Sequence, residues 1–458
     1  MRSGPDSARQ KRRGPPKGDR TWGAAHARRA IDEPRGDFIA KTIRSCLAQA
    51  PAQPYNWDEQ LRGLVLGICM SRSLLLQSIA QTRDGNVRTS ENSLSAFLKQ
   101  KRLTLAAAQR AHVVGVLKRL GRRRVWKHGG KAALIIDGTA YAKPRSRGKK
   151  RAMPKKGQVR VQNLKTEKTI LVPGYQEIWV GLLLADRTVL PLTRRLWSEN
   201  GPGCASMRLA EETEIRRAVE IMEEAFGLEV ILVADRGYRS KELLRWLKDV
   251  AGLDFIIRIE GKLTAAAGAS KGLLSTLSEW WPKRLTLQWR ERSKRVLLSD
   301  VSAREVSVKT ESKEDVAFNA LRLQPVKEDV EPMFLATTLP TDTKEDLTRI
   351  VRLYSWRWGI ETFFWTFKRA LNCHSWRVYS CWEAIDRLLT AAHMAYLVLT
   401  LLREFVRRGS AAARRLRLRL MLALRSRFAR SSEELTLGRL LRLLASDFPS
   451  PRLAASSW

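Results

Sequence analysis

Residues 354–368 read YSWRWGIETFFWTFK, and the rest of the chain takes its meaning outward from this stretch. Tyr354, Arg357, Glu361 and Lys368 stand at offsets 0, 3, 7 and 14. At roughly 100° per residue, one helix would carry all four within about 60° of one another. A single ridge then presents a phenol, a guanidinium, a carboxylate and an ammonium. The carboxylate can hold a divalent cation and the flanking bases can hold phosphate oxygens, so the ridge suits a phosphodiester. A solvated amphipathic helix, in which Arg357 and Glu361 support each other at i, i+4, fits the same spacing.

Two further carboxylates follow short apolar runs that read as buried strands. In KAALIIDGTAY (131–141) Asp137 ends the run ALII, and in EVILVADRGY (229–238) Asp235 ends VILVA. The carboxyl end of a buried strand is where α/β sheets hold ligands, although Asp-Gly is equally a turn signal. Asp137, Asp235 and Glu361 together suit two divalent metals roughly 3.5–4 Å apart. Magnesium is the expected ion, with manganese able to substitute, because a few carboxylates plus phosphate and water satisfy it. No histidine lies within five residues of the three, which argues against a zinc or histidine-dependent nuclease.

On these residues the chain resembles DDE transposases of bacterial insertion sequences, in the insertion-sequence-four family. That family's Y-x2-R-x3-E-x6-K signature is matched by Tyr354, Arg357, Glu361 and Lys368 at every spacing. Its second block stands as Asp235, Arg236, Gly237 and Tyr238, and its first as Asp137, Gly138 and Thr139. The resemblance implies that Asp137, Asp235 and Glu361 are catalytic metal ligands. It implies that Tyr354, Arg357 and Lys368 position DNA phosphates. The expected activity is cleavage at the ends of an insertion sequence and joining of 3′-hydroxyl ends to target DNA. A structure-specific nuclease on the same core, and a DNA-binding regulator that has lost the chemistry, are the alternatives.

Composition agrees. Lys and Arg number 84 against 46 Asp and Glu, a net charge of +38, with pI near 10.8. Such an excess repels itself unless a polyanion is at hand, and it points to double-stranded DNA rather than a membrane. The apolar run Ala391–Leu402 is about a dozen residues and contains His393, which reads as a core helix. The basic N-terminus lacks the apolar segment of a signal peptide. Five scattered cysteines read as reduced, so a cytoplasmic, nucleoid-associated protein is expected. A zinc site from Cys373, His374, Cys381 and His393 matches no common spacing.

The expected fold is α/β: an RNase H-like core with a β-rich insertion before the glutamate, flanked by α-helical N- and C-terminal regions. Residues 1–35, with ten Lys/Arg, read as a disordered basic arm. Residues 36–130 read as a helical DNA-binding domain. There Ser71–Gln81 and Ser90–Lys101 form either a helix-turn-helix, with Asn92, Ser93, Ser95, Lys99, Gln100 and Lys101 facing DNA, or a plain bundle. The core occupies 131–259 and 334–385. Its strands are expected at Gln176–Leu184, Thr188–Leu196 and Asp254–Ile259, and its helices at Ala205–Ala225 and Ser240–Val250. A basic loop from Lys143 to Lys168 carries eleven Lys/Arg, and Lys149, Lys150, Arg151 and Arg236 are read as DNA contacts. Asp235 and Glu361 are 126 positions apart, and 260–333 supplies the excess as the insertion. It holds Trp280, Trp281 and Trp289, any of which could stack on a base or be buried. Residues 386–458 are helical and arginine-rich, suited to DNA, to a dimer contact or to a bundle with solvated heads. Pairing two ends implies a homodimer in the synaptic complex.

Overall fold

The computed structural model describes residues 59–407, apart from 84, 102, 144–154, 163–168, 203–205, 239, 269, 278–280, 292–294, 327–330, 374–375 and 377–380. The apolar runs that bracket the aspartates do form strands, and they are central. They are β1 (Lys131–Ala142) and, after β2 (Gly157–Gln162), β3 (Thr169–Leu183), β4 (Val189–Trp197) and helix α5 (Met207–Phe226), the strand β5 (Val230–Ala234). Helices α1 (Glu59–Ser71), α2 (Leu76–Ala80), α3 (Val87–Lys99) and α4 (Ala106–Leu120) precede them. The short helix α6 (Lys241–Arg245) runs on as a wide turn through Val250 into β6 (Asp254–Ile259).

The sheet is mixed. β4, β3 and β1 are antiparallel neighbours, while β5 and β6 continue from β1 in parallel. Its core strands are apolar on both faces because helices cover both, as parallel strands require. On one face pack Ala133, Ile135, Val233 and Trp179, under α1–α3 and the C-terminal helices described below. On the other pack Leu134, Ile136, Leu232 and Ala234, under α4, α5 and α6. α5 starts on the Ser206 hydroxyl, which accepts from the Leu209 N–H, and stops at Gly227, whose φ of 58° suits a residue without Cβ.

Beyond β6 the sheet continues without a break. β7 (Thr264–Ala267), β8 (Ser270–Leu273), β9 (Trp281–Glu291), β10 (Arg295–Lys309) and β11 (Asp315–Pro325) lead to β12 (Met333–Thr337), which pairs antiparallel with both β11 and β6. The stretches RVLLSD (295–300) and REVSVK (304–309) belong to one long strand, β10, whose partner β11 pairs along Ser299–Lys309.

The chain then forms α7 (Lys344–Trp356), α8 (Gly359–Ala370) and α9 (Trp382–Arg407). Thr343 starts α7 through a capping box with Asp346. The one continuous helix expected over 354–368 is broken at Arg357–Trp358, where Arg357 N–H donates to Tyr354 O and Ile360 N–H to Arg357 O. Three-residue spacing of these bonds ends α7 and restarts the chain as α8. Gly359 is required there, since a Cβ would meet the Arg187 carbonyl oxygen at 2.7 Å.

The N-terminal helices differ from the sequence reading in their bounds. Where one helix was expected over Ser71–Gln81, α1 ends at Ser71 and α2 begins at Leu76. α3 turns Leu94, Phe97 and Leu98 inward and leaves Asn92, Lys99, Gln100 and Lys101 exposed. α9 is long and apolar enough to cross a membrane by composition, yet 94 % of its apolar window is buried inside the protein. It is a core helix against which α1, α3, α4 and β4 pack. Residues 1–58 and 408–458, which hold the basic arm and most of the arginine-rich C-terminal region, lie outside the described residues.

Two histidines mark how dry this core is. His393 on α9 bonds Gln109 at 2.7 Å and the Pro191 carbonyl at 3.1 Å, and it meets the Trp179 ring edge-on. Burial holds it neutral, down to about 3, and holds His112 down to about 4. Both lie below the unfolded value near 6.5, so the unfolded chain binds more protons between these limits. Stability is therefore lost as pH falls below about 6.5, by up to about 1.4 kcal/mol per pH unit for each histidine. Urea melts between pH 7.5 and 5 should show this slope, and His393→Gln should make it shallower. Equal slopes would contradict the assignment.

Candidate active site

The β1–β5 register determines the site. Ile136 pairs with Ala234 in parallel, so Asp137 and Asp235, one residue further on, lie side by side, Asp235 just past the end of β5. Alternation then directs both carboxylates to the face of Ile135 and Val233, the face under α7 and α8. α7 brings Tyr354 there, buried, and its hydroxyl donates to Asp235 Oδ1 at 3.1 Å. At the break between α7 and α8 the Arg357 side chain, 2 % exposed, enters between the carboxylates.

Arg357 Nη1 lies 3.1 Å from Asp137 Oδ2, and Nη2 lies 3.3 Å from Asp235 Oδ2. Glu361 Oε1, on the first turn of α8, is 4.0 Å from the same Nη1. The Asp137 and Glu361 oxygens are therefore within about 7 Å of each other, and a pair of cations spans about half that distance. The guanidinium also lies over the Trp358 ring at 5.1 Å and the Tyr354 ring at 5.8 Å. Its Nε–H is buried with no hydrogen-bond partner among the described residues.

Three acids so near one another perturb the site's titration. Burial pushes the Asp137 carboxyl up to about 7; Arg357 opposes this, Glu361 and Asp235 add to it, and the Gly138 N–H lowers it through a 2.8 Å hydrogen bond. Burial likewise raises the Tyr354 phenol, with Asp235 adding to it. For Arg357, burial works against the cation, but Tyr354, Asp235, Asp137 and Glu361 more than offset it and raise its pKa.

Lys368 occupies a different place from the other three signature residues. Its ammonium donates to the Ala140 carbonyl at 2.9 Å and lies over the Tyr141 ring at 5.2 Å. Burial lowers its pKa. It ties the end of α8 to β1, three residues beyond Asp137. Arg236 belongs to a short turn, Arg236–Tyr238, directly after Asp235. Lys149, Lys150, Arg151 and Trp280 lie outside the described residues, and Trp281 and Trp289 fall on β9.

Behind the site is a charge network that the sequence reading missed. Glu177 on β3, fully buried, accepts from Tyr141 Oη at 2.6 Å and from Arg194 Nε on β4. Arg194 continues to Asp386 Oδ1 at 2.9 Å and Thr390 Oγ1 at 2.7 Å on α9. The available signal was alternation: Glu177 shares its parity with Tyr175 and Trp179, both core residues.

Among the described residues no three His, Cys, Asp or Glu side chains are gathered closely enough to hold a metal as they stand. The acids at the site face the guanidinium rather than one another. As a donor set, three carboxylates without histidine or cysteine suit a hard divalent cation. His393 and Cys373 form no zinc site with their neighbours, and His374 lies outside the described residues.

Comparison with known families places residues 204–398 on a model described as Transposase DDE domain. That match supports a DDE transposase, a class that acts on DNA and generally uses divalent metal ions. The matched span includes Asp235 and Glu361, while Asp137 precedes it. No curated protein matches the chain.

The buried network makes a sharp prediction. Arg194→Met strands the Glu177 charge and should destabilise the protein by about 3–5 kcal/mol in chemical denaturation. Adding Glu177→Leu should recover much of that loss. A double variant no more stable than the single one would contradict this account.

Proposed function

We propose that the chain is a DDE transposase of the insertion-sequence-four type. It would bind the terminal inverted repeats of an insertion sequence, cleave phosphodiester bonds and join the freed 3′-hydroxyl ends to target DNA. The observation that carries this reading is the meeting of Asp137, Asp235 and Glu361, from two adjacent parallel strands and one helix, around one guanidinium. The antiparallel strands β1, β3 and β4 (with β2 added along β3), the parallel strands β5 and β6, and the third acid on a helix over the sheet support an RNase H-like core, with β7–β11 as its insertion. The family match over 204–398 and the charge of +38 support the same reading.

Asp137, Asp235 and Glu361 would hold magnesium, or manganese in its place. Bound there, such ions make a water or a 3′-hydroxyl a better nucleophile and steady the leaving oxygen. The chain's own groups prepare the site. Tyr354 orients the Asp235 carboxylate by its hydrogen bond, and the Gly138 N–H orients Asp137. Lys368 fixes α8 against β1, which keeps Glu361 in register with the aspartates. Arg357 supplies a guanidinium within reach of any phosphate that approaches the carboxylates. Arg236, Lys149, Lys150 and Arg151 would contact flanking DNA. The protein would work as a homodimer in the synaptic complex, in the cytoplasm at the nucleoid.

Glu361→Gln keeps size and removes charge. With labelled element-end duplex and magnesium, the wild type should yield nicked and joined products, and Glu361→Gln should lose both while still shifting the duplex. Nicks without joining would indicate a structure-specific nuclease, a shift without cutting a regulator. Undiminished cleavage by Glu361→Gln would overturn the assignment. A second prediction concerns Lys368. If its ammonium also reaches phosphate, Lys368→Ala lowers the salt dependence of DNA affinity by about one unit of slope; if it serves only the Ala140 carbonyl, the slope is unchanged and the melting temperature falls.

A further inference from the structure

We propose that Arg357 is the resident counter-cation of the carboxylate cluster in the free protein, and that DNA phosphate and divalent cations displace it together. This rests on the reading that Asp137, Asp235 and Glu361 hold the cations. It goes further in making metal loading conditional on DNA.

The geometry is the starting point. One guanidinium lies within 4.0 Å of an oxygen from each of the three acids, with its side chain 2 % exposed. Divalent ions on those oxygens would stand a few ångströms from a fixed positive charge, and like charges at that range repel strongly. Arg357 and the cations therefore compete for the same donors. Arg357 is tethered, so it occupies them whenever nothing draws it away.

Phosphate is the group that draws it away. Its oxygens match the guanidinium fork as well as a carboxylate does, and two parallel hydrogen bonds are available. In the free protein the fork is incompletely used, because Nε–H is buried without a hydrogen-bond partner among the described residues. A phosphate bound edge-on would engage it. The side chain springs from the break between α7 and α8 rather than from a helix interior. The cluster opens to solvent at Glu361, whose side chain is 46 % exposed, so phosphate and cation can arrive from that side. Tyr354 remains on Asp235 throughout and keeps one carboxylate aimed.

Linkage makes the consequence reciprocal. If phosphate frees the carboxylates, DNA tightens cation binding, and cation tightens DNA binding by the same factor. Couplings of this type are about 5–150-fold.

The test uses full-length protein, Mn2+ as the probe and electron paramagnetic resonance as the readout. Free wild type should bind Mn2+ at least about 5-fold more weakly than Arg357→Gln, which retains hydrogen bonding without charge. Arg357→Ala, checked by melting temperature, serves as the second variant. In a separate titration that permits no cutting, Ca2+ should strengthen wild-type binding to a duplex oligonucleotide and strengthen Arg357→Gln binding much less. Equal Mn2+ affinity in wild type and both variants, or an equal effect of Ca2+ on DNA affinity, would overturn the proposal. Adding Glu361→Gln to the Arg357→Gln protein separates the two levels. If the Mn2+ site survives that change, the carboxylates are not the cation site and the proposed function itself fails. If the site is lost but wild type already bound Mn2+ tightly, only the counter-cation role fails.

Discussion

The contact of one buried guanidinium with three carboxylates organises the candidate site of this fold. Asp137 and Asp235 are adjacent because Ile136 and Ala234 are partners in a parallel ladder, and alternation sends both acids to the same face. Burial under a helical layer favours the protonated form of such a carboxylate and pushes the Asp137 carboxyl up to about 7, with Glu361 and Asp235 adding to it. Arg357 makes the arrangement tolerable, and it does so from the break between two helices.

Packing holds that break in place. α8 rests its Phe363 and Phe367 rings on Trp179 of β3, with ring centres 4.9 and 5.1 Å away. Its far end is tied to β1 by Lys368, and its near end approaches the β3–β4 turn at Gly359. Glu361 thus stands on a helix held at both ends, while its own carboxylate remains open to solvent. Deeper in, Glu177 and Arg194 join β3 and β4 to α9 through Asp386 and Thr390. Neither would be buried alone, since an unpaired charge there is strongly disfavoured.

Much of this was legible in sequence, and the exceptions have physical causes. The runs before Asp137 and Asp235 were readable as strands because burial on both faces makes them continuously apolar, and Asp254–Ile259 agreed to the residue. The helix break at Arg357–Trp358 had no local signature. It depends on Gly359 meeting the carbonyl of Arg187, a residue 172 positions earlier in the chain. The length of β10 depends on a partner strand, β11, that propensity does not register. Spacing placed the Lys368 ammonium on the ridge, and the tertiary fold adds the Ala140 carbonyl, which accepts its hydrogen bond. The Glu177–Arg194 pair was hidden because a charge within a strand normally signals a solvent face.

The central claim is that Asp137, Asp235 and Glu361 exchange a guanidinium for divalent cations. Anomalous diffraction from crystals of the protein with duplex DNA and Mn2+ tests this most directly. The account predicts anomalous peaks at coordination distance from oxygens of all three acids, with the Arg357 guanidinium turned to a phosphate. Peaks elsewhere, with Arg357 still seated among the three carboxylates, would contradict it.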